Sequence, residues 1–363
     1  MFDGVFMSIV IKVGSQSILD ENGNPLLAVM THLVEQIIQL KEAGNQIVLV
    51  SSGAVALGRM LVRKTLSQEY GNSVADKQVL ASLGQPQLMQ IYAKLFGNYG
   101  YLTSQLLLTK YDFQTKRSYT NIVRLLENSL VQKNIITIIN ENDSVAVEEL
   151  MFTDNDELSG IVAAQLGAEK LLLLTSIDGV YTKNPLEAGA ELIREIRIKD
   201  TLPDLSGKTL FGRGGMSSKL NTARKMATFG VTTHIASLST IAVLTKIILD
   251  NQAIGAKILP EIKKSNRKKY LAFMQGIPNA QLTVNDGVIQ ALAKTAALSI
   301  LPIGVEKVCG EFKRGDLLEI VDMSAKKIGV GIARYNSSEL SQYIGKRNCP
   351  EVIHYDYLHI YLD

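Results

Sequence analysis

The sequence predicts an α/β protein with a mainly parallel, open sheet sandwiched by helices, followed by a small β-rich barrel domain. Apolar runs of strand length alternate with longer segments of helical period, which is typical of a parallel sheet with crossover helices. The runs are continuously apolar, as in strands that are buried on both faces. At 363 residues the chain is longer than one typical domain and predicts two.

The elements follow one another in a strand-then-helix rhythm. Continuous apolar runs predict strands over residues Ser8–Val13, Gln46–Ser51, Ile135–Ile139 and Lys170–Thr175. Helical periodicity predicts helices over residues Leu26–Ala43, Lys77–Gly97, Arg117–Lys133, Asn155–Leu166 and Leu220–Phe229. Further along, short strands, glycine turns and one helix, Ile289–Leu298, suit a small β-barrel.

The composition is that of a globular protein with an ample core, since 46% of the residues are hydrophobic and 20% are charged. The net charge of +3 makes no electrostatic case for a nucleic-acid partner. Cys309 and Cys349 supply neither a disulfide framework nor paired metal ligands, so a reduced cytoplasm is the expected compartment. No membrane span and no signal peptide is expected. The first six residues look like an optional lead-in, because Met7 could itself be the start.

Polar clusters follow all four predicted strands, at the edge where ligands of parallel sheets bind. In chain order these clusters are Lys12–Ser15, Ser51–Ala54, Asn140–Asp143 and Thr175–Tyr181. A fifth cluster, Gly212–Lys219, precedes the predicted helix that begins at Leu220. We therefore expect the functional site at this edge of the sheet.

Two acidic, Asn-rich turns lie close together in the sequence, Asn140–Asp143 and Thr153–Asp156. Asn and Asp oxygens accept hydrogen bonds from an ammonium group, and the Asn amide can also donate to a carboxylate. The pair of turns predicts an amino-acid pocket. The alternative is that both are Asx turns that cap helices.

Two lysines and several glycines point to a phosphate site. Lys12 lies near the end of an otherwise buried strand, where a cation is costly unless it meets an anion. The segment Gly214–Lys219 places glycines and hydroxyls at a helix start, where free N–H groups bind anions; a plain loop is the alternative.

Motifs of rival chemistry do not occur in the sequence. It contains no common P-loop, no G-x-G-x-x-G at the first strand and no G-x-S-x-G elbow. The scattered histidines predict structural or surface roles, and they are His32, His234, His354 and His359. Phosphoryl transfer remains, because it needs positioning and charge neutralisation more than acid–base machinery. A carboxylate acceptor, with an ordinary pKa of about 4.3, is already deprotonated at neutral pH and needs no general base.

At these residues the chain resembles the glutamate 5-kinase family of the amino acid kinase superfamily. Six motifs carry the resemblance over about residues 8–250, and they lie at residues 11–15, 50–59, 140–146, 154–159, 171–175 and 214–219. Residues 266–269 and segments from Leu282 to Asn336 resemble the PUA domain of the long bacterial form. The resemblance implies an amino-acid-kinase fold over residues 7–258, a linker over 259–268 and a PUA domain over 269–363.

The resemblance implies ATP-dependent phosphorylation of the L-glutamate γ-carboxylate to L-glutamyl 5-phosphate, the first step of proline synthesis, with Mg²⁺. On matching positions, the implied catalytic residues are Lys12, Asp156 and Lys219, and the implied glutamate-binding residues are Ser52, Asp143 and Asn155. The implied ATP-binding residues are Lys12, Gly14, Gly53, Thr175, Ser176, Arg213, Gly214, Gly215, Met216, Ser217, Ser218 and Lys219. No residue is assigned to the metal. Proline as feedback inhibitor and a homo-oligomer, dimer or tetramer, are also implied.

Two positions depart from the family pattern. The family usually has Thr-Asp where this chain has Thr175-Ser176, and a Thr commonly opens the glycine loop where Arg213 stands here. Both departures bear on nucleotide binding and leave the glutamate pocket untouched.

Two alternatives stay open at this point. One is an RNA-associated binding protein that keeps a kinase-like fold, and the other is a kinase for aspartate or N-acetylglutamate. From residue 266 onward the chain has 12 Lys+Arg against 10 Asp+Glu, so it is nearly neutral, and we do not expect the PUA domain to bind RNA.

Overall fold

The computed structural model describes residues 7–113, 116–146, 152, 154–200, 215–260, 280–294 and 298–360. Within these ranges the chain forms two compact units. One unit contains the residues up to Thr109 and those between Val123 and 260. The other contains Lys110–Ile122 and the residues from Ala280 onward. The predicted linker falls mostly outside the described residues, and its boundaries stay a prediction.

The first unit is built on an eight-stranded sheet in the order β3-β4-β2-β1-β5-β7-β8-β6. Its neighbouring strands run parallel except for β7 and β8, which are antiparallel. The strands are β1 (Ser8–Val13), β2 (Gln46–Ser51), β3 (Leu102–Leu108), β4 (Ile135–Glu141), β5 (Lys170–Thr175), β6 (Glu195–Ile196), β7 (Thr232–Ser237) and β8 (Ala256–Ile258). The predicted mainly parallel sheet is confirmed.

Helices lie between these strands, as parallel pairing requires. They are α1 (Ser15–Ile18), α2 (Leu27–Glu42), α3 (Ala54–Leu66), α4 (Val74–Gly97), α5 (Lys116–Leu130), α6 (Asn155–Leu166), α7 (Met216–Thr228) and α8 (Val243–Ile248). A capping box between Ser73 and Asp76 begins α4, which is three residues earlier than the periodicity predicts.

The two faces of β1 point to different surroundings. Ile9, Ile11 and Val13 are buried in a large apolar cluster together with residues of α2 and α8. Because side chains alternate along a strand, Lys12 points to the opposite face, which α6 and α7 cover.

Near the sheet edge, the observed end of β4 and the observed start of α7 differ from the predicted ones. β4 continues two residues beyond its predicted end to Glu141, because Asn140 and Glu141 still pair with Leu107 and Leu108 of β3. The prediction of Asn140–Asp143 as one turn is therefore wrong at its first two positions. Helix α7 begins at Met216 rather than Leu220, so Lys219 lies inside the helix.

The second unit contains a five-stranded mixed sheet in the order β10-β9-β11-β12-β13. Its elements are β9 (Ala280–Val284), α9 (Asp286–Lys294), β10 (Val305–Cys309), β11 (Leu317–Val321), β12 (Lys327–Ile332), α10 (Ser337–Ser341) and β13 (Leu358–Ile360). Leu318 and Ile320 point into a core of their own. On the other face, Tyr119 and Tyr357 pack against Leu317, Val330 and Ile332.

Helix α9 begins three residues before the predicted start at Ile289, with Asp286 in its first turn. Both cysteines are free, as the sequence predicts, with Cys309 exposed. No helix among the described residues has both the length and the apolarity to cross a membrane.

Candidate active site

The site lies at the carboxyl edge of the first sheet. β1 is central, with β2 and β5 as its parallel neighbours and β4 beside β2, so four strand ends meet at one edge. These ends carry Lys12, Ser52, Asn140 and Thr175, which belong to four of the polar clusters singled out in the sequence.

Asp156 bridges two lysines at the centre of this edge. Its Oδ1 lies 2.6 Å from the Lys12 Nζ, and its Oδ2 accepts a hydrogen bond of 3.0 Å from the Lys219 Nζ. Lys12 comes from β1, Asp156 from the first turn of α6 and Lys219 from the first turn of α7. All three side chains are buried, Asp156 completely. The three implied catalytic residues therefore form one cluster.

The cluster carries two positive charges for one negative charge. Burial lowers the pKa of Lys12 below its ordinary value; Asp156 opposes this shift and Lys219 adds to it. Burial acts to raise the pKa of Asp156, but the two ammonium groups outweigh it and hold this pKa below its ordinary value. Asp156 is therefore ionised at neutral pH, and the two ammonium groups suit a polyanionic ligand.

A second carboxylate, Asp154, organises the helix starts around the cluster. It is the N-cap of α6, where its Oδ1 accepts hydrogen bonds from the backbone N–H groups of Asp156 and Glu157. Its Oδ2 accepts a hydrogen bond from the Ser218 hydroxyl of α7. Burial, followed by the neighbouring Asp156 charge, raises the pKa of Asp154. Asp154 thus joins α6 to α7 at the point where both carry charged residues.

The helices α6 and α7 approach closely one turn further along. A Cβ on Gly160 would lie 2.8 Å from the Thr222 methyl group, which is closer than carbon atoms pack. Gly160 follows Asp156 by four residues, and Thr222 follows Lys219 by three, so each pair shares a helix face. The absence of a side chain at Gly160 therefore lets Lys219 reach Asp156.

Asn155 lies next to the charged cluster and joins Ser52 to Asn140. Its Nδ2 donates hydrogen bonds of 2.7 Å to the Ser52 Oγ and 2.9 Å to the Asn140 Oδ1. The Asn140 Nδ2 in turn donates to the Gln85 Oε1 at 2.8 Å. Within the described ranges the buried Asn155 Oδ1 has no hydrogen-bond partner. A buried acceptor of this kind is costly unless a ligand donates to it.

Asp143, the remaining residue that the resemblance assigns to glutamate binding, lies in the turn after β4 and is partly buried. The N–H of Asn142 donates to the Leu108 carbonyl, and the N–H groups of Val145 and Ala146 donate to the Asn142 carbonyl. These hydrogen bonds hold the turn at the same sheet edge as Asn140.

The glycines after β1 and β2 allow the backbone to approach the cluster. A Cβ on Gly14 would lie 3.6 Å from the Lys12 Nζ, so the Gly14 backbone is beside the ammonium group. Gly53 has a φ of +121°, a conformation that side-chain-bearing residues rarely adopt, and it is the N-cap of α3.

The implied nucleotide residues fall at two neighbouring places. Thr175 ends β5 and Ser176 follows it, exposed, at the same edge. Gly215 is the N-cap of α7, and Met216, Ser217 and Ser218 form its first turn. This helix start, with Lys219, has the features of an anion site. Arg213 and Gly214 lie outside the described residues.

The comparison with known proteins decides the family. The model of the amino acid kinase family matches residues 7–237, and the PUA domain model matches residues 280–355. A glutamate 5-kinase from Bacteroides thetaiotaomicron is 36% identical over 359 residues, which cover 98% of this chain and 99% of that protein. One from Chlorobaculum tepidum is 38% identical over 360 residues, which cover 98% of each. The chain belongs to the glutamate 5-kinase family.

A solved structure agrees with this family at the level of the fold. Carbamate kinase from Giardia lamblia bound to AMP-PNP superposes with a TM-score of 0.51 at 18% sequence identity. The match covers 71% of this chain and 99% of that chain. The amino-acid-kinase fold is thus confirmed for this glutamate 5-kinase family member.

One residue of the site in this family member, Gln85, was not predicted from the sequence, and Asn140 and Asp154 were named only as parts of turns. The buried Gln85 lies on α4, far from any strand end in the sequence, and contacts the site only through Asn140. No local pattern marks it. Asp154 has a detectable signal, because an Asp directly before a helical segment predicts an N-cap.

The carboxylates of Asp156 and Asp154 have protein partners. Both Asp156 oxygens face lysines, and both Asp154 oxygens accept hydrogen bonds. The described part of the chain contains no group of three or more His, Cys, Asp or Glu side chains that could hold a metal ion.

Proposed function

We propose that this chain transfers the γ-phosphoryl group of ATP to the γ-carboxylate of L-glutamate, which yields L-glutamyl 5-phosphate and ADP. This is the first step of proline synthesis. The observation that carries the proposal is the juxtaposition of two binding chemistries at one sheet edge. The ion-paired Lys12–Asp156–Lys219 cluster presents two ammonium groups, and Asp156 is directly preceded by Asn155, whose Oδ1 has no partner among the described residues.

The lysines would serve the phosphate side of the reaction. Negative charge on the transferred phosphoryl group must be neutralised as the bond to the leaving oxygen of ADP lengthens. Lys12 and Lys219 offer ammonium groups from two sides of Asp156, which holds both in place. The Gly14 backbone and the start of α7 would add N–H donors.

The Asn and Asp residues would serve the glutamate side. The unpartnered Asn155 Oδ1 would accept a hydrogen bond from the α-ammonium group, and Asp143 would add a negative charge for the same group. Ser52 accepts from the Asn155 amide at 2.7 Å and so keeps its hydroxyl hydrogen for a substrate oxygen.

No proton has to be removed in the chemical step. The γ-carboxylate of glutamate is ionised at neutral pH, and one of its oxygens attacks the γ-phosphorus of ATP. The bond from that phosphorus to the β–γ bridging oxygen breaks, and the electron pair leaves with ADP. Asp156 acts in this scheme as an ionised organiser of the two lysines rather than as a base.

Mg²⁺ would enter with ATP. The carboxylates of Asp156 and Asp154 have protein partners at both oxygens, lysine ammonium groups at Asp156 and N–H and hydroxyl donors at Asp154. We expect the ion to be held by phosphate oxygens and water, as Mg²⁺ commonly is in nucleotide sites, and to neutralise phosphate charge there.

Three further properties are proposed from the family resemblance. Proline would inhibit by binding in the glutamate pocket or at its rim. The chain would act as a homo-oligomer, a dimer or tetramer, in the cytoplasm. RNA binding by the PUA region is not proposed, because the region is nearly neutral.

The acceptor at Asn155 also bears on the alternative substrates. N-acetylglutamate lacks an ammonium group and would leave the Asn155 Oδ1 without a strong donor, and aspartate is one methylene too short to reach the phosphate with both ends bound. An RNA-associated scaffold without turnover would have no need for two buried lysines around one carboxylate.

The test is a hydroxylamine assay that traps acyl phosphate, run with ATP and glutamate, aspartate or N-acetylglutamate. We expect product with glutamate, and Lys219→Met should lower kcat by about 10² or more through lost charge stabilisation. Lys225→Met, the same change in the last turn of α7, is the matched control and should leave kcat unchanged. Acyl phosphate with none of the three substrates would contradict the proposal.

A further inference from the structure

Three side-chain amides form a chain that runs from α4 into the pocket. Gln85 accepts from Asn140, and Asn140 accepts from Asn155. We infer that Gln85 is a positioning residue that, through Asn140, sets which end of the Asn155 amide faces the substrate. The inference rests on the proposed function and concerns how the enzyme tells an amino acid from the same diacid without its ammonium group.

The orientation of each of these three side-chain amides follows from one neighbouring group that can only donate a hydrogen bond. The backbone N–H of Glu141 can only donate, and it donates to the Asn140 side chain at 2.9 Å. The acceptor there must be the Asn140 Oδ1, so the Asn140 Nδ2 points the other way, toward Gln85. Gln85 must then present its Oε1, because two NH₂ groups cannot hydrogen bond to each other.

The same logic fixes Asn155. The Asn140 Oδ1 also accepts from the Asn155 Nδ2, whose second hydrogen goes to the Ser52 Oγ. Both hydrogens of the Asn155 amide are therefore used, and its Oδ1 is the end left over. A flipped Asn155 would set its oxygen against the Asn140 oxygen and would offer a donor where the substrate ammonium also donates.

The position of Gln85 is built into the packing of α3 and α4. At Gly84 the two helices are so close that a Cβ would lie 1.8 Å from the Ala54 carbonyl oxygen. Ala54 begins α3 directly after Ser52 and Gly53. This close approach brings the next residue of α4, Gln85, to the pocket wall, where it is 7% exposed.

Removing the Gln85 oxygen would leave the buried Asn140 NH₂ group without an acceptor, so only the Glu141 N–H and the Asn155 amide would hold the Asn140 side chain, which would leave its orientation more often. Turning Asn140 would turn its oxygen away from Asn155 as well. A larger fraction of the protein would then present the wrong end of Asn155, and a ligand with an ammonium group would lose more affinity than one without it.

The experiment compares the dissociation constants of glutamate and glutarate by calorimetry on the full-length protein. Glutarate keeps both carboxylates and lacks the ammonium group. Gln85→Met keeps the side-chain volume and removes the oxygen, and it should reduce the preference for glutamate over glutarate by about tenfold, equivalent to one buried hydrogen bond. In turnover, the KM for glutamate should rise while kcat stays within about threefold.

Two variants make the result specific. Gln165→Met makes the same change at another buried glutamine, whose amide atoms have no hydrogen-bond partner in the described ranges, and should leave the preference unchanged. Gln85→Glu keeps an acceptor oxygen for Asn140 and should retain the preference within about twofold.

The inference is overturned if Gln85→Met keeps the wild-type preference, or if Gln85→Glu loses it. The second outcome decides the matter even where Gln85→Met does not fold. Failure of the proposed function would look different, because the wild-type protein would then form no acyl phosphate from glutamate. A wild type that binds and phosphorylates glutamate, with a preference insensitive to residue 85, would contradict this inference alone.

Discussion

Lys12 shows how the place of one residue in a sequence can reveal a binding site. A lysine between Ile11 and Val13 on a buried strand has a high desolvation cost, and its neighbours in the sequence offer no counter-charge. The fold provides the counter-charge from Asp156, which is 144 residues further along the sequence. The need for an anion could thus be predicted from sequence, whereas the identity of its partner depends on the fold.

The lowered pKa of Lys12 predicts a pH dependence of ATP binding. Lys12 loses its proton at a lower pH than an ordinary lysine, whose pKa is about 10.4. As pH rises through the Lys12 pKa, the site loses a positive charge and ATP affinity should decrease. This decrease should begin before the pH reaches about 10.4, the pKa of an ordinary lysine. Titration calorimetry with ATP, without glutamate, avoids interference from the substrate amine.

Lys219→Met serves as the test of cause. Lys219 is one of the groups that lowers the Lys12 pKa, so its removal should move the onset of the affinity loss to higher pH. An onset that stays at the wild-type pH would show that another group titrates.

The Asn and Gln residues mark the limit of sequence reasoning at this scale. Asn155 could be found from its motif, because it precedes an acidic helix start. Gln85 could not, since its contribution depends on a hydrogen bond to Asn140, 55 residues away, and on the orientation of that amide.

At the scale of elements, the packing of α6 against α7 sets the geometry of the charged cluster. The bounds of α6 could be predicted because Asp154 caps it and Gly167, with positive φ, ends it. The start of α7 could not, because glycine and serine around residue 215 predict a loop as readily as a first helical turn. β3 was not predicted either, since Leu102 is exposed and the strand lies at the sheet edge.

The close contact at Gly160 predicts the outcome of a single added methyl group. Gly160→Ala gains about 1 kcal/mol of helix propensity, but overpacking against the buried Thr222 methyl costs about 1–3 kcal/mol. The helices should separate, lengthen the 3.0 Å contact between Lys219 and Asp156, and lower kcat by about tenfold or more. Kinetics and thermal unfolding measure the two effects.

Two controls accompany this variant. Gly160→Ala combined with Thr222→Ser removes the opposing methyl and should restore kcat. Gly97→Ala adds the same methyl at the end of α4, where nothing lies within 4 Å of it, and should be harmless. Full activity of Gly160→Ala alone would contradict the argument.

At the scale of the whole molecule, the division into units does not follow chain order. Lys110–Ile122 lies within the stretch that matches the amino acid kinase family, yet it is part of the compact unit that contains the PUA match. Tyr119 explains this, because it covers the apolar face formed by Leu317, Val330 and Ile332. Sequence patterns predicted two domains but not that residues 110–122 belong to the second unit. The contact between Tyr119 and the sheet joins positions that are far apart in the sequence.

Tyr119 is accordingly predicted to stabilise the second unit. Tyr119→Ser should destabilise it by about 1–2 kcal/mol through lost apolar burial and should speed hydrogen exchange in β11 and β12. Tyr111→Ser, in the same segment but at a side chain 57% exposed, is the matched control. Equal exchange rates in β11 and β12 for both variants would show that Tyr119 does not support the sheet.

The assignment of residues 110–122 to the second unit also affects the design of truncated forms of this protein. A protein that ends at residue 263 would keep residues 110–122, with Tyr119, but would lack the sheet residues Leu317, Val330 and Ile332 that Tyr119 covers. The truncated product would carry Tyr119 with nowhere to bury it, and we expect it to be prone to self-association. To produce the first unit alone, residues 110–122 must be replaced by a short linker that joins Thr109 to Val123, in addition to the truncation after residue 263.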